Sequence, residues 1–549
     1  MRRRDRGTRI QKSCLLHLPV AGLACAGAAV GSGRSALPDI LQQGGSPVDA
    51  AIAALICTSV LNPQSMGLGG GVIFTIYNAS TGMVEVINAR ETAPLHFSGD
   101  LLKHCPNPFN LGKKGVQWIG VPGELRGYEE AHKRHGRLTW KSLFEPTIKL
   151  LTPGVQIPVV LSQFLNHPKL QMAVKSRHQL FCDKQGNVLT ERDTLHWSSL
   201  VETLKAVAEK GASEFYTGKV ATKLVEDIKN ENGSLTMLDL RNYTVKVGKP
   251  LSVTLGEYTM YSAPPPAGAA VLFFILNVLK GFNFTKESMN TNNGRIETYH
   301  RIAEALKFGN GQKPKLDDPQ FSQFTKVGAS WTFPDTGERR IDASGNHTLS
   351  YYNLTQPAML SFGTSHVSVL AEDGSAVSVT STINHPFGSM MYSPSTGIIL
   401  NNELTDFCNK KPGSQVSPGE RPPSAMSPII LVSKDKQKTL VIGGSGGDQI
   451  IPATALVSAL HCSNTFPPFC LGVGTGSWPQ YLLSVLSAEL ILLQAIMNKL
   501  WFGYDLEHAI AAPILHVKGN KLLLPKGFDE VRSSSCGLFS RPSSPGFVG

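Results

Sequence analysis

The chain has 549 residues, 41% apolar and 17% charged, enough for a large core in one big domain or two closely packed ones. Its net charge of +11 (52 Lys and Arg against 41 Asp and Glu) is scattered apart from MRRRDRGTR at the start. With no zinc-finger spacing, helix-turn-helix or basic-aromatic stripe, nucleic acid is excluded as a partner. Nine cysteines without a CxxC pair argue against a zinc or iron-sulfur site and leave the pairing open. Asn78, Asn232, Asn242, Asn283, Asn346 and Asn353 each head an N-glycan acceptor triplet, which fits a secreted or cell-surface chain.

Residues 1–36 are atypical: a basic start, then a mildly apolar 15–31 that reads as a weak secretory signal, too short and soft for a membrane span. From Leu37 the sequence predicts a helix, a Gly-Gly break and a second helix from Pro47, with Ser46, Pro47 and Asp49 as its start signal. GLGGG at 67–71 precedes the strand VIFTIY; without GxxxxGK[ST] it reads as close backbone packing near a pocket. A strand MVEVI leads to Arg90, either a carboxylate grip or a salt-bridged surface arginine. GYEEAHKRHG reads as a solvated helix end closed by Gly136, with His132 and His135 on the surface. Two strands and a Pro-rich turn follow at 247–269, and AAVLFFILNVL, of about 11 residues, is a buried helix rather than a span. Residues 312–360 turn polar and irregular, the composition of an exposed, cleavable linker.

That linker runs into QPAMLSFGTSHVSVLAEDGSAVSVTSTIN, residues 356–384. Val367, Val369, Val377 and Val379 alternate as in two strands, and Asp373-Gly374 is the turn between them. Thr364 therefore begins a strand, directly after Gly363. Read alone the stretch is a hairpin; read chemically, a cut at Gly363-Thr364 makes Thr364 a nucleophile whose own amine serves as base. Further on, NNELTDF places Glu403 and Asp406 at a strand exit, where two acids favour an ammonium guest or simply form a solvated loop. RPPSAMSP carries Ser424 and Ala425, and VIGGSGGDQI ends a strand on Gly446 and Gly447, an oxyanion donor pair or a tight turn.

These motifs, with NPQSMGLGGGVIFTIY, VINARETAP and SPSTGIILNNELTDF, resemble the gamma-glutamyltransferase family over roughly Leu37 to Val457 and Gln494 to Leu524. The resemblance implies an α+β fold, the four-layer αββα sandwich of an N-terminal nucleophile hydrolase. It also implies one precursor cut into a large subunit, 37–363 behind the atypical start, and a small subunit, 364–549. By resemblance Thr364 is the nucleophile, Thr382 orients it, and the N–H groups of Gly446 and Gly447 form the oxyanion hole. Arg90 and Ser424 would hold the substrate α-carboxylate, and Asn384, Glu403 and Asp406 its α-amine. The substrates implied are glutathione, its S-conjugates and leukotriene C4, with water, an amino acid or a dipeptide as acceptor and neither metal nor organic cofactor needed. A membrane anchor, expected from the family, is not evident here. Three departures stand out. Ala425 replaces the second of two carboxylate-binding serines, residues 458–493 are an insertion foreign to the fold, and the tail after 524 lacks the terminal strands. They leave an inactive binding or structural homologue as the alternative.

Overall fold

Helix α1, Pro47–Leu61, begins on the cap expected for it. Asp49 N donates to Ser46 Oγ at 3.0 Å and Ser46 N to Asp49 Oδ2 at 2.8 Å, closing a reciprocal box on the first turn. The same Asp49 oxygen accepts from Arg137 N and Leu138 N, tying α1 to the exit of α2, Glu124–His135. All 15 residues of α1 are buried: Ala, Ile, Leu and Val cover most of it, and the Thr58 and Ser59 hydroxyls donate to Ala54 O and Ile56 O of its own backbone. The computed structural model describes residues 40–106, 115–177, 179–322, 341, 347–354, 363–410, 413–447 and 450–451, and strand pieces at 469–470, 516–518 and 521–523.

Two sheets form the centre. The first comprises β1 (Gly71–Asn78), β2 (Met83–Ala89), β3 (Lys246–Gly248), β6 (Gly363–Leu370) and β7 (Ala376–Asn384), in the order β3-β2-β1-β7-β6, all antiparallel. The second comprises β4 (Leu251–Leu255), β5 (Tyr258–Ser262), β8 (Ile429–Ser433), β9 (Thr439–Ile442) and β10 (Phe469–Cys470), in the order β10-β9-β8-β5-β4. Alternation along the strands decides which layer each side chain joins. Val72, Phe74, Ile76, Val377 and Val379 face α1, α2, α3 (Trp140–Leu151) and α4 (Ser198–Lys210). Tyr77 and Ala376 face Ile430, Val432 and Val441 of the second sheet. On its far side, α5 (Ala269–Gly281) and α6 (Asn292–Asn310) cover Met260, Leu431, Leu440 and Ile442. The result is the expected αββα sandwich. Thr75 Oγ1 donates to Pro428 O and Ser378 Oγ to Ile442 O, so polar links as well as apolar packing join the sheets.

The apolar run at 269–279 is a buried helix as expected, and no described helix is long and apolar enough to cross a membrane. The end of α2 differs from expectation. His132 is half-buried, its Nε2 2.8 Å from Leu138 O and its ring against Trp140, because the chain folds straight back over it. His135 is half-buried too, against Glu85 at 2.9 Å. Gly136 is not a left-handed cap; its φ is −71°, and its Cα instead lies so close to His132 that a Cβ would overlap the ring. Asn232, Asn242, Asn283 and Asn353 are exposed and Asn78 half-buried; Asn346 lies outside the described residues. So do the N-terminal segment, most of the linker before Thr364, the tail after 524 and the insertion apart from the strand Phe469–Cys470, which pairs parallel to β9.

Candidate active site

The strands β6 and β7 meet out of step at the expected junction. Thr364 pairs with Thr382 but Gly363 with Asn384, so Ile383 is an extra residue and the ladder bulges there. A Cβ on Gly363 would lie 2.7–2.8 Å from the carbonyl oxygens of Asn384 and His385, which is why the position is glycine. Thr364 is buried, and its Oγ1 donates to Thr382 Oγ1 at 3.2 Å. Thr382 Oγ1 donates in turn to Gly363 O and accepts from Asn384 N at 2.8 Å. One hydroxyl, with its single proton and two lone pairs used, thus touches the candidate nucleophile, the carbonyl before it and the next backbone amide. GLGGG packs as expected: Cβ atoms on Gly69 and Gly70 would overlap the carbonyls of Ile399 and Thr382.

Of the predicted substrate-binding residues, Asn384, Glu403 and Asp406 gather about Arg90. Glu403 and Asp406 lie on a 3-10 helix, Glu403–Asn409, where sequence suggested a loop. Arg90 is 1% exposed. Its Nη1 is 2.5 Å from Glu403, its Nη2 donates to Asp406 at 2.6 Å and Pro423 O at 3.0 Å, and its Nε donates to Pro422 O. The surface-arginine alternative is therefore ruled out. Asn384 Nδ2 donates to Asp406 Oδ1 at 3.2 Å and Thr405 Oγ1 at 2.9 Å, which connects this cluster to Thr382 and Thr364. Ser424 Oγ accepts from Met426 N at 3.2 Å, and the Ala425 methyl packs beside the α5 core.

Glu91 adds a third carboxylate, 3.6 Å from Arg90 Nη1 and fully buried. Burial works against the charge of Arg90, but Glu403, Glu91 and Asp406 more than offset it and raise its pKa. Burial also raises Glu91 and Glu403, against the pull of Arg90, with neighbouring carboxylates pushing the same way. These directions conflict for the Arg90–Glu403 pair. The 2.5 Å contact decides for an ionised Glu403, leaving Glu91, beyond hydrogen-bond reach, as the acid held neutral. With Glu91 neutral, the ionised Glu403 and Asp406 share one guanidinium, and the site is short of one cation.

Gly446 and Gly447 follow β9 with φ of 110° and 61°, the left-handed region that glycine tolerates. At the head of this loop Gly443 abuts the ring of His366, where a Cβ would have no room. His366 shares a strand face with Thr364; Thr380 Oγ1 and Ser368 Oγ flank its ring nitrogens at 2.9 and 3.0 Å. Burial drives it down to about 3, so it stays neutral.

Sequence reasoning missed Glu91, Glu124 and His366, because an acid or histidine inside a mixed run carries no periodic signal of burial. Glu124 opens α2 and is wholly buried; its Oε1 accepts from Ser381 Oγ at 2.8 Å and from Tyr128 OH. Burial pushes its carboxyl up to about 8 from 4.5, and the two hydrogen bonds offset only part of this. Between those values the folded chain keeps a proton that the unfolded chain has lost. Stability therefore falls as pH rises through this window, by about 1.4 kcal/mol per pH unit for this group. Glu124→Gln keeps an acceptor and removes the titration. The wild-type Tm should fall more steeply than that of the variant from about pH 5 to about pH 8; parallel slopes would show that Glu124 does not titrate there.

A family model described as Gamma-glutamyltranspeptidase matches residues 35–465. The glutathione hydrolase 5 proenzyme of Rattus norvegicus is 51% identical over 506 residues, covering 90% of this chain and 82% of that protein. The Homo sapiens glutathione hydrolase 5 proenzyme is 48% identical over 530 residues, covering 91% and 84%. Cephalosporin acylase from Bacillus halodurans shares the fold, with a TM-score of 0.72 at 21% identity over 91% of this chain and 85% of its own. Helicobacter pylori gamma-glutamyltranspeptidase gives a TM-score of 0.50 at 25% identity, over 59% of this chain and 92% of its own. With that model matched from residue 35 to 465 and relatives about half identical over most of their length, the chain belongs to the gamma-glutamyltranspeptidase family.

Proposed function

We propose that the chain is cut between Gly363 and Thr364 into 1–363 and 364–549, and that the new terminal threonine then cleaves γ-glutamyl bonds. The substrates are glutathione, its S-conjugates and leukotriene C4; water, an amino acid or a dipeptide accepts the γ-glutamyl group. The name shared by the relatives at 48–51% identity, glutathione hydrolase 5 proenzyme, supports both the cut and the substrate class. The observation that carries the reading is the Thr382 hydroxyl, bonded to Thr364 Oγ1 and Gly363 O together.

In the cut, Thr364 Oγ attacks the Gly363 carbonyl carbon while Thr382 polarises its oxygen. The C–N bond breaks, an ester forms on Thr364, and water releases the Gly363 carboxylate. The freed α-amine, ordinarily near pKa 7.7–8.0, becomes the base for the same hydroxyl. A γ-glutamyl carbonyl then takes the place of Gly363 C=O, with Gly446 and Gly447 N–H groups receiving its oxygen. The α-ammonium of the substrate supplies the missing cation beside Glu403 and Asp406, with Asn384 as its neutral partner. As it binds, Arg90 exchanges part of its contact with Asp406 for the α-carboxylate, helped by the Ser424 hydroxyl. Ala425 forgoes one hydrogen bond to that carboxylate, a loss of about 1.5–3 kcal/mol relative to a serine. The exposed acceptor asparagines support a location on the cell surface or in secretions, the surface form needing the anchor expected of the family.

The test is an acid quench during turnover of γ-glutamyl-p-nitroanilide, followed by peptide mass mapping. One γ-glutamyl group should appear on the peptide beginning at Thr364. A processed protein with no such adduct and no p-nitroaniline release would mark the inactive homologue.

A further inference from the structure

Cys105 and Cys408 form a disulfide across 303 residues of sequence. Cys105 follows the 3-10 turn Leu101–His104, on the large-subunit side of Gly363; Cys408 lies in the helix Glu403–Asn409, on the small-subunit side. We infer that this bridge holds the two halves of the cut protein together covalently and fixes the acid-bearing helix in the site. Cys105 and Cys408 are then positioning residues for substrate binding. The inference rests on the cut proposed above, and its test is chosen to fail separately.

The helix has reason to need a fastening. It is a 3-10 segment of seven residues, a conformation with poor hydrogen-bond geometry that seldom persists without outside support. At its start Glu403 N donates to Asn401 Oδ1 at 3.0 Å, and Asn401 Nδ2 donates to Gly69 O and Gly120 O, so that end is anchored to the large-subunit side. In the middle, Leu404 and Phe407 join a small apolar cluster with Ala93, Leu101 and Trp118. Arg90 and Asn384 hold its acids from one side, and at its end the disulfide adds a covalent anchor, two residues beyond Asp406. Asp406 and Glu403 are the groups meeting Arg90, so a shift at Cys408 moves the ammonium site directly. Cys105 is exposed and Cys408 half-buried, so a reductant reaches the bridge in the folded protein. The glycan triplets put the chain in an oxidising compartment, where such bridges persist.

The secreted, processed protein is alkylated to block free thiols, denatured, and run with and without dithiothreitol, alongside mass mapping of its linked peptides. The two halves should travel together without reductant and separate with it, and a Cys105–Cys408 peptide pair should be found. Halves that separate without reductant, or alkylated Cys105 and Cys408, would overturn the inference. If the chain is not cut at all, the proposed function fails, while the peptide map still decides the bridge. In a second measurement dithiothreitol gives two electrons and two protons to the disulfide of the native enzyme and is itself oxidised to its cyclic disulfide. The thiols are then capped with iodoacetamide. KM for γ-glutamyl-p-nitroanilide should rise by about threefold to thirtyfold with kcat changed less than about twofold, in the capped enzyme and in Cys105→Ser alike. Unchanged KM in both would remove the positioning role.

Discussion

Thr364→Ala should leave a single uncut chain and abolish γ-glutamyl transfer, with kcat lower by about 10⁴-fold or more, as when a nucleophile is removed from other acyl-transfer enzymes. The substitution takes away the hydroxyl that would attack Gly363 and the one that would attack substrate, so both losses appear together. The fold should survive, because Thr364 makes one side-chain hydrogen bond, to Thr382, and its backbone pairing in β6 is unchanged. Thr364→Ser separates hydroxyl from shape: cutting should still occur, more slowly, since the lost methyl leaves an extra rotamer open. Denaturing electrophoresis under reduction reads the cut, and release of p-nitroaniline reads the activity. A Thr364→Ala variant that was still cut after Gly363 would place the attacking group elsewhere.

Arg90→Met should be among the most damaging single changes in the chain. Arg90 is the counterion of Glu403 and Asp406 and the neighbour of Glu91, and its guanidinium also satisfies the carbonyls of Pro422 and Pro423. Without it the ionised Glu403 and Asp406 are left beside the neutral Glu91 with no cation, and removing one partner from a buried ionic cluster costs about 3–5 kcal/mol. Arg90→Lys should lose less stability but bind substrate poorly, since one ammonium cannot span two carboxylates and two carbonyls. Urea denaturation of each variant measures the first effect and KM the second. A second substitution, Glu403→Gln in the Arg90→Met background, should return part of the lost stability by removing a stranded charge. Loss of less than about 1 kcal/mol in Arg90→Met, with no return in the double variant, would show that the acids are not held ionised by Arg90.

The strands and the Gly363-Thr364 junction were legible because alternation of Val367, Val369, Val377 and Val379 and the turn at Gly374 are local signals. The α1 start was legible for the same reason: Ser46 and Asp49 act within one helical turn. The motif set also named residues that meet in space, since Arg90, Asn384, Glu403 and Asp406 come together. Sequence could not show that Arg90 is already paired with the two acids, because that depends on a contact across more than 300 residues. Nor could it show that Glu403 and Asp406 ride on a 3-10 helix, or that Cys408 ties that helix to Cys105. Glu91 and Glu124 were passed over because only packing reveals that a carboxylate has lost its water. His132 and Gly136 went wrong for a related reason: the chain beyond the helix, at Leu138 and Trp140, folds back and covers them.

Everything proposed for the chemistry depends on one peptide bond opening. End-group sequencing of secreted, folded and reduced protein tests it most directly. Two chains are expected, one of them beginning Thr364-Ser365-His366-Val367. A single chain, with no terminus at Thr364, would contradict the proposed cut and the chemistry built on it.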